Sequence, residues 1–369
     1  MKTYIIKNAR LVDGTSTSFL VENGWIKKIG IDIEEKEIPV IELEKDSYLS
    51  AGWIDMHTHC FQKFEMYKDD CDEIGYKTGV TTVVDAGTAG AEVMGEFYQE
   101  VQSHLTNVYA FINICKKGIF AQNELEDLNN LDIPLLKECY KKYSDFIVGI
   151  KVRSSKSVVG SAKDEPLDIG IRAAKELDLP LMIHIGTAPS LLETVVEKLR
   201  PRDIITHIFN PKENGICLPD GSMKPCINKA IDKGIYLDIG HGIDSFSFKA
   251  LDVANKNHIK ADTISTDIYS RNRVNGPVYD LATTMSKFID RGYILSEIID
   301  KVTKEPAKIL GLHDIGELEV GKKAEFTIFK IVEDQKEVVD SAGVKEVINK
   351  YIQPIGVILK DEYRKLGEA

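Results

Sequence analysis

The chain has 369 residues, of which 43% are hydrophobic and 28% charged, a balance that fits a globular protein of two or three domains, or one large α/β barrel with an appendage, and excludes collagen-like, mucin-like and disordered classes. Its formal net charge of −11 repels polyanions and argues against a nucleic-acid or anionic-membrane surface. The expected partner is a small-molecule substrate, with neither nucleic acid nor membrane; a homo-oligomer is left open.

No apolar run approaches the ~18 to 20 residues of a membrane span. The opening MKTYIIKNARLVDG is charged throughout and does not read as a signal peptide, so the expected compartment is the cytoplasm. Cys60, Cys71, Cys115, Cys139, Cys217 and Cys226 are scattered without a CxxC pair, which indicates reduced thiols rather than a disulfide framework or a cysteine-based zinc site.

Residues 1–49 alternate strand-like segments with turn signals: TYIIKNARLV, then FLVENGWIKKIG with an Asn23-Gly24 hairpin turn, then IPVIELE. From Gly52 the texture changes to short apolar runs, each followed by helical periodicity. The runs are 53–57, 80–85, 108–114, 146–152, 180–185, 203–208, 235–240 and 262–266. Between them lie EVMGEFYQEVQSHL, DIGIRAAKEL, LLETVVEKLR and FKALDVANK, whose apolar residues recur every three or four positions. Buried strands alternating with helices imply a parallel sheet covered on its outer face, and eight such units match a (β/α)8 TIM barrel. After a helical stretch at 296–311, GELEVGKKAEFTIFKI returns to strand-like composition. The expected division is a barrel over 50–315, flanked by a small β-sandwich-like domain that both chain ends, 1–49 and 316–369, build together.

His57 and His59 end the first run, and residues i and i+2 of a strand share a face, so both imidazoles can reach one cation. His184 ends the fifth run, His207 the sixth, and Asp267 follows the eighth. All sit at C-terminal strand ends, where active sites of this fold are built. Imidazoles and a carboxylate suit zinc or a similar divalent ion. Lys151, near the end of the fourth run, is out of place among them, because an ammonium would repel metal ions. Either it faces elsewhere, or carbon dioxide has converted its amine to an anionic carbamate.

AGWIDMHTH, GVTTVVDAG, the lysine on strand four, the single histidines on strands five and six and the aspartate on strand eight together resemble the amidohydrolase superfamily. The branch they resemble is the binuclear, carbamylated-lysine one that contains dihydroorotases, hydantoinases and deacetylases. The resemblance covers nearly the whole chain. It implies two divalent ions, Zn2+ by expectation: His57, His59 and Asp267 on one, His184 and His207 on the other, and Lys151, as its carbamate, between them. It also implies attack by a metal-bridging hydroxide, with Asp267 as the catalytic proton shuttle.

The resemblance further implies hydrolysis of an amide or ester acyl bond in a small polar metabolite, such as a cyclic amide or an N- or O-acyl carboxylic acid. Dihydroorotases carry an arginine two residues after the HxH pair, where this chain has Phe61, which disfavours dihydroorotate. The rival readings are a nucleobase deaminase and a scaffold protein without activity. Substrate contacts are expected from Arg153 and Arg271, either of which would bind a carboxylate in a dry pocket, from His241, which would hydrogen-bond a carbonyl or leaving group, and from Tyr269.

Overall fold

In the computed structural model, which describes residues 2–31, 33 and 37–367, the two chain ends meet in one mixed sheet of eight strands. Its order is Glu362–Lys365, Tyr351–Leu359, Phe326–Val332, Tyr48–Ala51, Thr3–Arg10, Ser16–Glu22 and Trp25–Gly30, with Val40–Glu42 paired to Thr3–Arg10. The Asn23-Gly24 signal is a two-residue hairpin turn: both residues have positive φ, 50° and 77°, and Glu22 pairs with Trp25. That twist suits antiparallel neighbours.

Seven of the eight expected barrel strands form one parallel sheet in sequential order: Trp53–Thr58, Val80–Gly90, Asn107–Asn113, Ile147–Arg153, Leu181–His184, Ile204–Thr206 and Tyr236–Leu237. The eighth run is too short for a regular strand but closes the ring. Thr263 bridges Asp238 of the seventh segment, and Ile268 bridges Thr58 of the first. Asp267 N–H donates to His57 O at 2.7 Å and His59 N–H to Ile268 O at 2.9 Å, so the last candidate ligand is stitched to the first two.

Helices cover the strands because their apolar residues line one side. In Glu165–Leu177, Leu167, Gly170, Ala173 and Ala174 are buried, and a Cβ at Gly170 would fall 2.6 Å from Val152 Cγ2 on the fourth strand. Close helix–sheet contact therefore requires the glycine. The stretch 296–311 is two helices, Leu295–Asp300 and Lys304–Leu310, rather than one. Between them Thr303 turns its hydroxyl back onto Ile299 O at 2.6 Å, and Pro306 lies in the first turn of the second helix, where a missing N–H costs nothing.

One element of the C-terminal segment leaves the terminal sheet. The hairpin of Lys336–Val339 and Lys345–Ile348 docks on the barrel instead, where Asp340 and Ser341 bond to the segment after the seventh strand. Among the described residues no helix is long and apolar enough to cross a membrane.

Candidate metal centre and substrate cleft

Strand geometry brings His57, His59, Lys151, His184, His207 and Asp267 to one end of the barrel, and all but Asp267 and His184 are almost wholly buried. Asp267 Oδ1 lies 3.1 Å from His59 Nε2 and 3.4 Å from His57 Nε2. Lys151 Nζ is 3.2 Å from the same nitrogen of His57. The rings of His57 and His207 are 5.0 Å apart and those of His184 and His207 4.5 Å. Ligand atoms of His57, His207 and Asp267 all lie within 4.8 Å of one another, a group that spans both of the ligand sets the resemblance implies and so brings them into one space. His207 and Asp267 have positive φ, 66° and 52°, a backbone uncommon for non-glycine residues, which marks where the chain turns at the ends of the sixth and eighth runs.

The nitrogens turned away from the centre are each fixed by a protein partner. His59 Nδ1 meets Thr88 Oγ1 at 2.7 Å, and His207 Nδ1 meets Gly240 O at 2.6 Å. His57 Nδ1 meets Thr206 Oγ1 at 2.8 Å, and that hydroxyl donates its one proton to Asp238 at 2.7 Å. Thr206 can therefore only accept from His57, which places the proton on Nδ1 and leaves Nε2 as a lone pair. Asp238 also accepts from Thr263 and Ser265, three hydroxyls that hold it in place. His184 is reversed: its Nε2 meets Ser155 Oγ at 2.9 Å, leaving Nδ1 as the nitrogen for a ligand.

Protonation favours the same use. Burial, then the neighbouring Lys151 amine and the other imidazoles, hold His57 well below the usual histidine range. Burial and His207 do the same to His184, and burial brings His207 down to about 4. Burial raises Asp267, but the hydrogen bond from His59 and the charges of His207 and Lys151 outweigh it and lower its pKa. The result is that His57, His184 and His207 are neutral beside an ionised carboxylate. Burial pulls the Lys151 amine down to about 7, with Asp267 and Asp238 pulling the other way, so a neutral amine is accessible near neutral pH. Its stem passes Gly87, where a Cβ would fall 2.5 Å from Lys151 Cβ; the glycine is required for the lysine to reach the centre.

Outside the centre, a cleft of about 180 Å³ is lined by Tyr67, Arg153, Ser155, His184, Lys212, Asp244, Asp267 and Tyr269, among others. Arg153 is buried and bound through Nη1 to both oxygens of Glu124, at 3.0 and 3.2 Å. Its guanidinium stands 5.5 Å from the centre of the Tyr67 ring. Among the described residues its Nε and Nη2 have no partner. Tyr269 meets Tyr67 edge-on at 5.0 Å and forms part of the same wall.

Two expected substrate contacts are not in the cleft. His241 is fully buried; its Nδ1 meets Gly242 O at 2.9 Å and its Nε2 meets Lys287 Nζ at 2.7 Å, so neither nitrogen is free for a substrate. Gly240 and Gly242, with φ of 46° and 55°, reverse the chain there and turn the ring away from the mouth. Arg271 is exposed on the short helix Ser270–Asn275 and does not line the cleft. Sequence reasoning missed Glu124, Tyr67 and Lys212. The first two lie in loops far from any strand end, and nothing in their spacing ties them to the metal residues.

A sequence profile described as the amidohydrolase family matches residues 48–353. A protein named deacetylase from Enterococcus faecalis is 45% identical over 357 residues, covering 96% of this chain and 97% of that one. A crystal structure described as an adenine deaminase superposes with a TM-score of 0.97 at 44% identity, over 99% of this chain and all of the other. Another, described as a dihydroorotase, gives 0.90 at 32% identity, over all of this chain and 98% of the other.

Proposed function

Since the chain belongs to the amidohydrolase family, and is thereby a hydrolase acting on amide bonds, we propose that its substrates are small acylated carboxylic acids, cleaved at an N-acyl amide or O-acyl ester bond. The observation that carries this reading is Arg153: a buried guanidinium in the cleft wall, held by Glu124, with Nε and Nη2 unengaged. Two parallel N–H donors match a carboxylate, and burial makes that pairing strong. The cleft's small volume favours a short acid over a polymer.

The residues of the centre fit divalent metal ions, because the imidazoles of His57, His184 and His207 are neutral, and all four rings are oriented by partners behind them and gathered around a carboxylate. His57, His59 and Asp267 would hold one, His184 and His207 a second, and Lys151 would serve both as a carbamate, formed when its neutral amine adds to carbon dioxide and gives up a proton. Such ions, Zn2+ by ligand chemistry, activate water and polarise a carbonyl.

The rest is the work of the chain. Arg153 anchors the substrate carboxylate and Glu124 fixes Arg153, which turns the acyl group toward Asp267. Asp267, ionised at neutral pH, accepts the proton of the attacking water and delivers it to the leaving nitrogen or oxygen. Tyr67 and Tyr269 wall the site and limit water around it.

The test compares an acylated carboxylic acid with its neutral amide. Arg153→Met should raise KM for the acid about 10- to 100-fold more than for the amide, the scale of a buried charged hydrogen bond. Equal effects on both compounds would remove the carboxylate from the proposal. A second reading, release of ammonia from a nucleobase, is favoured by the likeness to the structure described as an adenine deaminase; ammonia formed from adenine, with no acyl hydrolysis, would select it.

A further inference from the structure

Lys287 and His241 are both buried and neither takes part in the chemistry above. Lys287 Nζ reaches three acceptors: His241 Nε2 at 2.7 Å, Pro277 O at 3.0 Å and Val339 O at 2.9 Å. In its protonated form the amine has three hydrogens, and all are used. His241 donates from Nδ1 to Gly242 O and accepts at Nε2, and it stacks on Phe246 at 4.5 Å. Lys287 thus joins the segment after the seventh strand to the C-terminal hairpin, whose Val339 supplies one of the carbonyls.

The hairpin turn grips the same segment elsewhere. Ser341 Oγ donates to Gly242 O at 3.0 Å and accepts from Phe246 N–H at 3.1 Å. Ser341 N–H donates to Phe246 O at 3.0 Å. Asp340 accepts from Phe248 N–H with one oxygen and from Ala342 and Val344 N–H with the other, which braces the turn itself. The gripped segment has no regular structure of its own, yet it touches both parts of the site. Gly240 O holds His207 Nδ1, and a Cβ on Gly242 would fall 2.5 Å from Asp267 Oδ2. Asp244 and Ser245 line the cleft.

We propose that the hairpin at 336–348, acting through Ser341 and Lys287, is a clamp that sets the position of the 240–247 loop against Asp267 and the substrate cleft, so that Ser341 and Lys287 are positioning residues for the reaction. Burying an amine here costs free energy that an apolar side chain would not. What the amine adds is direction: three fixed bonds locate the loop where apolar packing would allow it to slide. Burial brings the amine down to about 7, against Asp340 and Asp280, which favour the charged form, and with a smaller push from Lys336. Displacements near 1 Å in a site of this kind cost about 100-fold in rate.

This inference rests on the proposed acyl hydrolysis, and its test separates the two. Ser341→Ala, Ser341→Thr and Lys287→Met would be compared with wild type in metal content, kcat, KM and backbone hydrogen exchange over 241–248. Ser341 is only partly buried, so Ser341→Ala should fold even if Lys287→Met does not. The expected result is faster exchange at 246 and 248, a fall in kcat of about tenfold or more at unchanged metal content, and recovery of most of the loss in Ser341→Thr, which keeps the hydroxyl. Unchanged exchange, or faster exchange with kcat and KM at wild-type values, would overturn the clamp. A wild type that hydrolyses no acyl compound would count against the proposed function, and the exchange measurement would still decide whether the hairpin holds the loop.

Discussion

In the proposed mechanism Asp267 carries two tasks, and its surroundings suit both. Its Oδ1 faces both His57 and His59, a position for holding metal, while its lowered pKa keeps it ready to accept a proton. Asp267→Asn retains an oxygen at the same reach and loses the basic site. The variant is expected to keep most of its metal, because His57, His59 and Lys151 remain, and to lose about 10²- to 10⁴-fold in turnover, the usual share of general acid–base catalysis. Metal analysis beside steady-state kinetics checks both halves. A metal-replete variant with near wild-type turnover would assign the proton to another group.

At the scale of elements, what could be read from the sequence was whatever follows strand periodicity. His57 and His59 share a face because side chains alternate along Trp53–Thr58, and Lys151, His184 and His207 were placed by their positions at strand ends. Periodicity stops where the strand stops. After Asp267 the chain enters the helix Ser270–Asn275, which carries Arg271 outward, and after the seventh strand two left-handed glycines turn His241 inward. Neither turn leaves a mark in apolar spacing. Glu124 and the hairpin at 336–348 were illegible for a related reason: each reaches the site from a distant part of the chain, and only the closed barrel brings it there. Arg271→Met should accordingly leave KM for acylated acids within twofold of wild type, in contrast to Arg153→Met; a large rise would put the exposed arginine back in the pocket.

For the whole molecule, the two buried lysines govern how stability responds to alkaline pH. In the folded protein both Lys151 and Lys287 are brought down to about 7 by burial, whereas in the unfolded chain lysine stays charged to about 10.4. Between pH 7 and 9 the unfolded state therefore binds more protons than the folded one, and stability rises with pH. Above about 9 the sign turns, because buried thiols such as Cys115, Cys139 and Cys226, raised to about 11, remain protonated while those of the unfolded chain ionise. Metal-free protein in buffer depleted of carbon dioxide should gain on the order of 2 kcal/mol from pH 7 to 9. Urea unfolding at the two values measures it, and a flat or falling profile would show that the two amines stay charged in the folded state.

The central claim is that this barrel end is a metal-dependent acyl hydrolase whose Lys151 works as a carbamate. The direct measurement counts metal ions per chain and assays acylated carboxylic acids in three states: as purified, after chelation, and after return of Zn2+ with and without bicarbonate. The account predicts two ions per chain, loss of turnover with the metal, and full recovery only when both metal and bicarbonate are supplied, with no recovery in Lys151→Ala. Turnover that survives complete chelation, or a Lys151→Ala protein with two ions and the wild-type rate, would contradict it.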